Sequence, residues 1–75
     1  MKLKKSVLAK IKKNKELRIS LITLHKNSET TILLWLRTNS PKLIEYSSLI
    51  VIANHLDMEI DDMVTETDQV FNQVL

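Results

Sequence analysis

Apolar residues recur at helical spacing along most of the chain, and polar breaks divide them into five segments. The first covers about residues 3–14, where the apolar side chains stand among lysines, and the second covers about 16–25. Three more follow, over about 28–39, over 41–55 and from about 59 onward. Spacings of three and four residues place apolar side chains on one side of an α-helix. We therefore predict an all-α fold, a compact five-helix bundle.

Start signals mark the boundaries between these segments. Ser28 is suited to cap the third helix, and Glu29 favours the positive end of its dipole. Ser40 and Pro41 are the next start signal, because serine caps and proline already has the backbone angle of a first helical residue. The chain has no glycine, so we expect asparagine, serine or aspartate to make the tight connections, with a nearby asparagine in the left-handed position after His25.

Three stretches of the chain follow one another in a familiar order and spacing. The serine-led SETTI opens the third segment, Trp35 is followed by Asn39 and Pro41, and LIVIANHLDMEIDDMV occupies residues 49–64. Together they resemble the helix-turn-helix domain of the Cro and phage-repressor family, the lambda-repressor-like fold, over about residues 18–64. A chain of 75 residues is expected to form a single domain over residues 1–75.

The family resemblance also implies a function, that of a sequence-specific DNA-binding transcriptional regulator acting as a homodimer on double-stranded DNA. The second helix of the motif enters the major groove with its N-terminal and outward-facing residues. In this chain the residues expected near bases or phosphates are Ser28, Glu29, Thr30, Thr31, Leu33, Leu34 and Arg37. The phosphate contacts expected from the N-terminal arm and first helix are Lys2, Lys4 and Lys5.

The modest net charge of +2 conceals a division along the chain. The first 18 residues carry eight lysines and arginines against one acidic residue, Glu16, whereas Asp57 and everything after it include no basic residue. A basic head is suited to nucleic-acid phosphates. The other interpretation is that the basic and acidic parts of the chain are two solvated surfaces. The charge of one surface would then complement that of the other on a neighbouring molecule.

Two leucines depart from the pattern of a DNA reader. Base edges are usually read by arginine, lysine, asparagine or glutamine, whereas Leu33 and Leu34 offer no hydrogen bond. The alternative is a degenerate helix-turn-helix used for protein interaction or oligomerisation, for example in a toxin–antitoxin or phage-assembly context. Under either function, residues 65–75 are expected to be a C-terminal extension available for dimerisation. The candidate contact residues are Leu33, Leu34, Ile50, Val51, Val70, Phe71, Val74 and Leu75.

Neither a catalytic site nor a metal site is expected. The chain has no cysteine, and no serine stands near a histidine–acid pattern. His25 is expected to be a packing residue, because the other histidine, His55, stands thirty residues further on. Apolar runs are far shorter than the ~20 residues that cross a bilayer. We expect a cytoplasmic protein that is not an enzyme, with no cofactor, membrane contact or small-molecule ligand.

Overall fold

The computed structural model describes residues 1–65 as a helical bundle closed by a two-stranded antiparallel sheet. The elements in chain order are β1 (Lys2–Leu3), α1 (Lys5–Lys13), α2 (Lys15–His25), α3 (Glu29–Thr38), a 3-10 helix (Pro41–Ile44), α4 (Tyr46–Leu56), α5 (Ile60–Met63) and β2 (Val64–Thr65). The predicted all-α bundle of five helices is confirmed. Four predicted contact residues lie outside the described residues, namely Val70, Phe71, Val74 and Leu75.

The core of residues 1–65 takes at least one side chain from β1 and from every helix. Each fully buried aliphatic side chain contributes about 1.5–3 kcal/mol to folding. Helices this short gain most of their stability from such packing rather than from their own propensity. The buried apolar residues are Leu3, Val7, Ile11, Leu17, Leu21, Ile32, Leu36, Leu43, Leu49, Ile52 and Met63.

The predicted fourth helix, over 41–55, is two separate helices. Pro41–Ile44 forms the 3-10 helix, Glu45 has extended backbone (φ −62°, ψ 146°), and α4 begins at Tyr46. The reason is packing: in one continuous helix, Leu43 and Ile52 would point to opposite sides because they are nine residues apart. The break at Glu45 allows both side chains to be fully buried in one core.

The predicted first helix, over 3–14, begins too early, because Leu3 belongs to a strand. Leu3 pairs with Val64 and Lys2 pairs with Thr65. The N–H of Lys4 donates to the carbonyl oxygen of Met63 at 2.9 Å. A strand of two residues has no periodicity that the sequence could reveal. The pairing holds the start of the chain against the end of the described part.

Three helices end on residues with left-handed backbone, none of them glycine. Lys26 (φ 56°), Asn39 (φ 53°) and Asp57 (φ 54°) follow α2, α3 and α4. The expectation of an asparagine after His25 is wrong, since Lys26 takes that position. Asn27 completes the turn instead, because its backbone N–H donates to the carbonyl oxygen of Ile22 at 3.2 Å. This is the Schellman pattern of helix closure.

None of the helices within residues 1–65 combines the length and the apolar character that a membrane span requires.

Candidate nucleic-acid interface

One side of α3 is open to solvent while the other side is core. Ile32 and Leu36 are buried, whereas Leu33 and Leu34 keep 38% and 43% of their surface exposed. Four of the exposed residues of α3 recur at i, i+3, i+4 and i+7, as one side of a helix requires. We call the following four residues the α3 face: Thr30, Leu33, Leu34 and Arg37.

The N-terminus of α3 is fixed by the predicted serine cap. Ser28 Oγ accepts a hydrogen bond from the backbone N–H of Thr31 at 3.3 Å, and the two hydroxyl oxygens lie 3.1 Å apart. Thr31 is half-buried and its hydroxyl is already engaged in this cap. The cap therefore separates Thr31 from the other residues expected near bases, which are exposed.

Arg18 connects the start of α3 to the end of α1. Its guanidinium donates from one terminal nitrogen to the carbonyl oxygen of Lys12, and its Nε lies 3.5 Å from Oε2 of Glu29. The Nε atom is buried and makes no hydrogen bond within residues 1–65, so the Glu29 carboxylate is its compensating group there. Arg18 was not among the residues expected at the site, because nothing in the spacing of the sequence links it to Glu29.

The opposite end of α3 is also tied to the N-terminal part of the chain. The side-chain amide of Asn39 donates to the carbonyl oxygen of Leu3 at 3.0 Å. Because Leu3 precedes α1 and Lys12 lies in its last turn, the ties at the two ends make α1 and α3 run side by side in opposite directions. On the α3 face, Leu33 and Arg37 are the residues that line a concavity together with α1.

A groove of about 360 Å³ separates α1 from α3. A smaller depression of about 290 Å³ lies on the α3 face itself, lined by its four residues. Leu33 and Arg37 line both, so the two concavities are adjacent. Apolar side chains form most of the groove wall, which consists of Leu8, Ala9, Lys12, Leu33, Leu36 and Arg37.

The charged side chains bordering this groove are positive. Lys12 and Arg37 line it, and Lys5 lies on the same side of α1 as Ala9 and Lys12 because the three are spaced i, i+4 and i+7. In the described part of the chain, the ion pairs are Arg18–Glu29 and Lys42–Glu45. None of the three cations has a carboxylate partner there. Lys12 is not among the residues predicted from the sequence, although its spacing from Lys5 and Ala9 is visible there.

The structure places the other predicted basic residues beside the end of α3 rather than on a free arm. Lys2 lies in β1, Lys4 directly precedes α1, and both are exposed on either side of the buried Leu3. Since Leu3 bonds Asn39, these lysines lie near the C-terminus of α3. The expected N-terminal arm is therefore a paired strand over residues 2–3.

The predicted contact residues of α4 lie elsewhere. Ile50 is 37% exposed and lines a depression of about 310 Å³ with residues of α4, α5 and the connection between them, including Asp57 and Glu59. Val51 is half-buried against the core. The structure therefore does not bring these two residues together with the α3 face, and the depression near Ile50 has acidic rather than basic neighbours.

Both histidines join α2 to α4. His25 Nε2 lies 2.7 Å from Ser48 Oγ, and the His25 ring meets the Trp35 ring edge-on with centroids 4.8 Å apart. His55 Nε2 lies 3.1 Å from Ser20 Oγ. Among residues 1–65 no three histidine or acidic side chains are grouped as a metal ion would require.

No family model, no curated protein and no solved structure matches this chain.

Proposed function

We propose that the chain is a DNA-binding regulator in which α2 and α3 act as a helix-turn-helix and the α3 face enters the major groove. The observation that carries the proposal is the exposed α3 face with Lys12 and Arg37 beside it, two cations that have no carboxylate partner within residues 1–65. A ten-residue helix is about 15 Å long and about 10–12 Å wide with its side chains, which matches a major groove about 12 Å wide.

The cations support this orientation of the helix. Lys12 on α1 and Arg37 on α3 line one groove, and Lys5 lies on the same side of α1 as Lys12, so a duplex against the α3 face would meet positive charge along its edge. Contacts with phosphates fix the register of a protein on DNA and provide most of its non-specific affinity. Lys2 and Lys4, near the C-terminus of α3, would extend this phosphate contact.

The acidic residue of α3 is compatible with DNA because it already has a partner. Glu29 is the only acidic residue in α3, and Arg18 lies against its carboxylate. The pair places a compensating positive charge where an isolated carboxylate would repel phosphates. The net effect on a duplex at the start of α3 is therefore small.

A homodimer belongs to this proposal. One reading helix covers only a half-site, and helix-turn-helix proteins bind paired half-sites about 34–36 Å apart. The exposed Ile50 on α4, in its separate depression, would be free to contact a second copy while the α3 face contacts DNA. In this role the protein would act in the cytoplasm and without catalysis.

The test is a titration of fluorescent random-sequence duplexes with the protein, followed by anisotropy at ~50 mM salt and at rising salt concentration. We expect log Kd to change linearly with log salt. Replacing both Lys12 and Arg37 with glutamine should lower the slope by roughly 2, about one for each cation that no longer neutralises a phosphate.

The matched control for this titration is Lys10→Gln. Like the Lys12→Gln half of the double change, it removes one positive charge from α1, but the Lys10 amine lies 3.9 Å from Met58 Sδ and so points away from the groove. We expect a smaller change in the salt slope than for either groove cation. No binding at protein concentrations up to ~100 µM in ~50 mM salt would contradict the proposal, since non-specific affinities of DNA-binding proteins exceed this.

A second candidate function is protein interaction through the same surface. The observation that favours it is the apolar wall of the groove, where Leu8, Ala9 and Leu36 lie beside Leu33. Here the change Leu33→Gln with Leu34→Gln should lower the solution mass measured by sedimentation or abolish capture of a partner chain. If the solution mass and partner binding are unchanged, this alternative is wrong.

A further inference from the structure

We infer that the α3 face selects duplexes mainly through the methyl groups of thymine. This inference rests on the proposed DNA binding and specifies the ligand chemistry of the same surface. It concerns the two leucines that are unusual for a DNA reader, and it assigns them a partner on the base-pair edge.

The exposure of the leucines sets the chemistry of the surface. Leu33 and Leu34 leave 38% and 43% of their area in water, so each has apolar surface to bury on contact. On the major-groove edge of a base pair, the apolar group is the C5 methyl of thymine. Burying that methyl against leucine removes apolar area from water on both sides.

The shape of the α3 face agrees with this partner. Its depression of about 290 Å³ is lined by Thr30, Leu33, Leu34 and Arg37, so two leucines form much of a concave wall. A methyl group projecting from a base edge can enter a concave apolar wall, whereas a flat leucine surface would contact it on one side only. Thr30 supplies another methyl group and a hydroxyl at the same wall.

Charge complementarity favours DNA over an apolar protein partner at this depression. Arg37 lines both the depression and the adjoining groove, and Lys12 lines the groove. Neither has a carboxylate partner within residues 1–65. A methyl-bearing base in the depression has phosphates nearby that both cations can contact, which a purely apolar partner lacks.

The same leucines disfavour a guanine–cytosine pair. Guanine presents the O6 and N7 acceptors and cytosine presents an N4 donor in the major groove. Leucine displaces water from these groups without replacing their hydrogen bonds, and an unpaired buried polar group is unfavourable. The preference for thymine-containing base pairs therefore comes both from contact with the thymine methyl and from exclusion of guanine–cytosine pairs.

The experiment begins with selection of tight duplexes from a random library and then replaces thymine with deoxyuridine in the selected sequence. That replacement removes the methyl group and leaves every hydrogen-bonding group in place. We expect affinity to fall by about fourfold for each methyl that the leucines bury, the factor that corresponds to burying one methylene-sized group. Replacements outside the contacted positions should leave affinity unchanged.

Variants of the protein identify the contact. The double change Leu33→Ala with Leu34→Ala should abolish the difference between the thymine and uracil duplexes while preserving the salt slope. Leu24→Ala is the matched control, because Leu24 on α2 is also 38% exposed but lines neither concavity. We expect it to retain the full difference. Because these leucines are only partly buried, we expect each variant to fold. Circular dichroism checks this.

The outcomes separate this inference from the proposed function. Failure to bind any duplex at ~50 mM salt overturns both. Salt-dependent binding with equal affinity for thymine and uracil duplexes overturns the inference and leaves the proposed function in place. Equal affinities together with a changed solution mass in the double variant would assign the leucines to a protein contact, which also overturns it.

Discussion

The Nε atom of Arg18 lies 3.5 Å from the Oε2 atom of Glu29, so the first residue of α3 is paired with a side chain of α2. The two partners differ in environment, since the Arg18 side chain is 15% exposed and that of Glu29 is 56% exposed. Arg18 also donates to the carbonyl oxygen of Lys12. Arg18 therefore links α2 to both α1 and α3, and its positive charge offsets that of Glu29 at the candidate interface.

Glu29→Gln should raise affinity for duplex DNA, by about threefold or more at ~50 mM salt. It removes a negative charge from the start of the proposed reading helix and leaves Arg18 positive, and such effects are strongest at low salt. Because the carboxylate is more than half exposed, unfolding free energy should fall by at most ~1 kcal/mol. Anisotropy and urea denaturation measure the two effects.

Glu16→Gln is the control for that change, because Glu16 is an exposed residue in the first turn of α2 and has the same charge. An affinity gain equal in the two variants would mean that net charge alone is responsible. That result would contradict a local role for Glu29 at the interface.

Ser48→Ala should lower the free energy of unfolding by about 1 kcal/mol, because it removes both hydrogen bonds of a buried hydroxyl, and both bonds are partly buried. The fully buried Ser48 hydroxyl donates to the carbonyl oxygen of Lys42 at 3.0 Å, so it must accept from the Nε2–H of His25 at 2.7 Å. Urea denaturation of Ser47→Ala provides the comparison, since Ser47 is exposed and adjacent. Equal stability of the two variants would show that the hydrogen-bonded chain is unimportant.

Lys26→Gly should stabilise the fold by up to ~1 kcal/mol. Lys26 has left-handed backbone (φ 56°, ψ 46°), which is unfavourable for a residue with a Cβ atom and readily adopted by glycine. Part of the gain is offset by the greater freedom of glycine in the unfolded chain. Lys26→Ala removes the same charge but keeps the Cβ, so its midpoint in urea should not rise. A gain shared by both variants would point to charge rather than backbone geometry.

Ser28→Ala should lower the unfolding free energy by about 1 kcal/mol, the usual effect of losing an N-cap side chain. For a domain of this size that corresponds to a drop of about 4–8 °C in Tm, measurable by calorimetry. Ser6→Ala is the comparison, because Ser6 is exposed within α1 and makes no cap. A Tm for Ser28→Ala as high as that for Ser6→Ala would show that the α3 cap contributes nothing.

Local signals in the sequence predicted the start of α3 and the side of it that faces solvent. Ser28 caps the helix as expected, and Ile32 and Leu36 turn inward as their spacing required. Leu33 and Leu34 stand between Ile32 and Leu36 in the chain. Because Ile32 and Leu36 occupy the core side of the helix, the same spacing turns Leu33 and Leu34 toward solvent. These features depend on residues close together in the chain, so periodicity and capping chemistry are sufficient to find them.

The remaining features depend on residues that are distant in the chain. The partners of Arg18 on α1 and α3 and the bond from Asn39 to Leu3 follow from how the helices pack, which no local spacing encodes. The break at Glu45 is similar, since both Leu43 and Ile52 reach the core only when the helix is interrupted. These contacts and the break at Glu45 are therefore determined by tertiary packing, which the local pattern of the sequence does not reveal.

The pairing of β1 with β2 has a consequence for synthesis on the ribosome. Leu3 is buried, its strand partner is Val64, and the N–H of Lys4 bonds the carbonyl oxygen of Met63. Residues 2–4 are therefore translated long before their partners, which lie near the end of the described part. Until then the N-terminal strand has no sheet to join, so the closure of this fold must wait until residue 65 has left the exit tunnel.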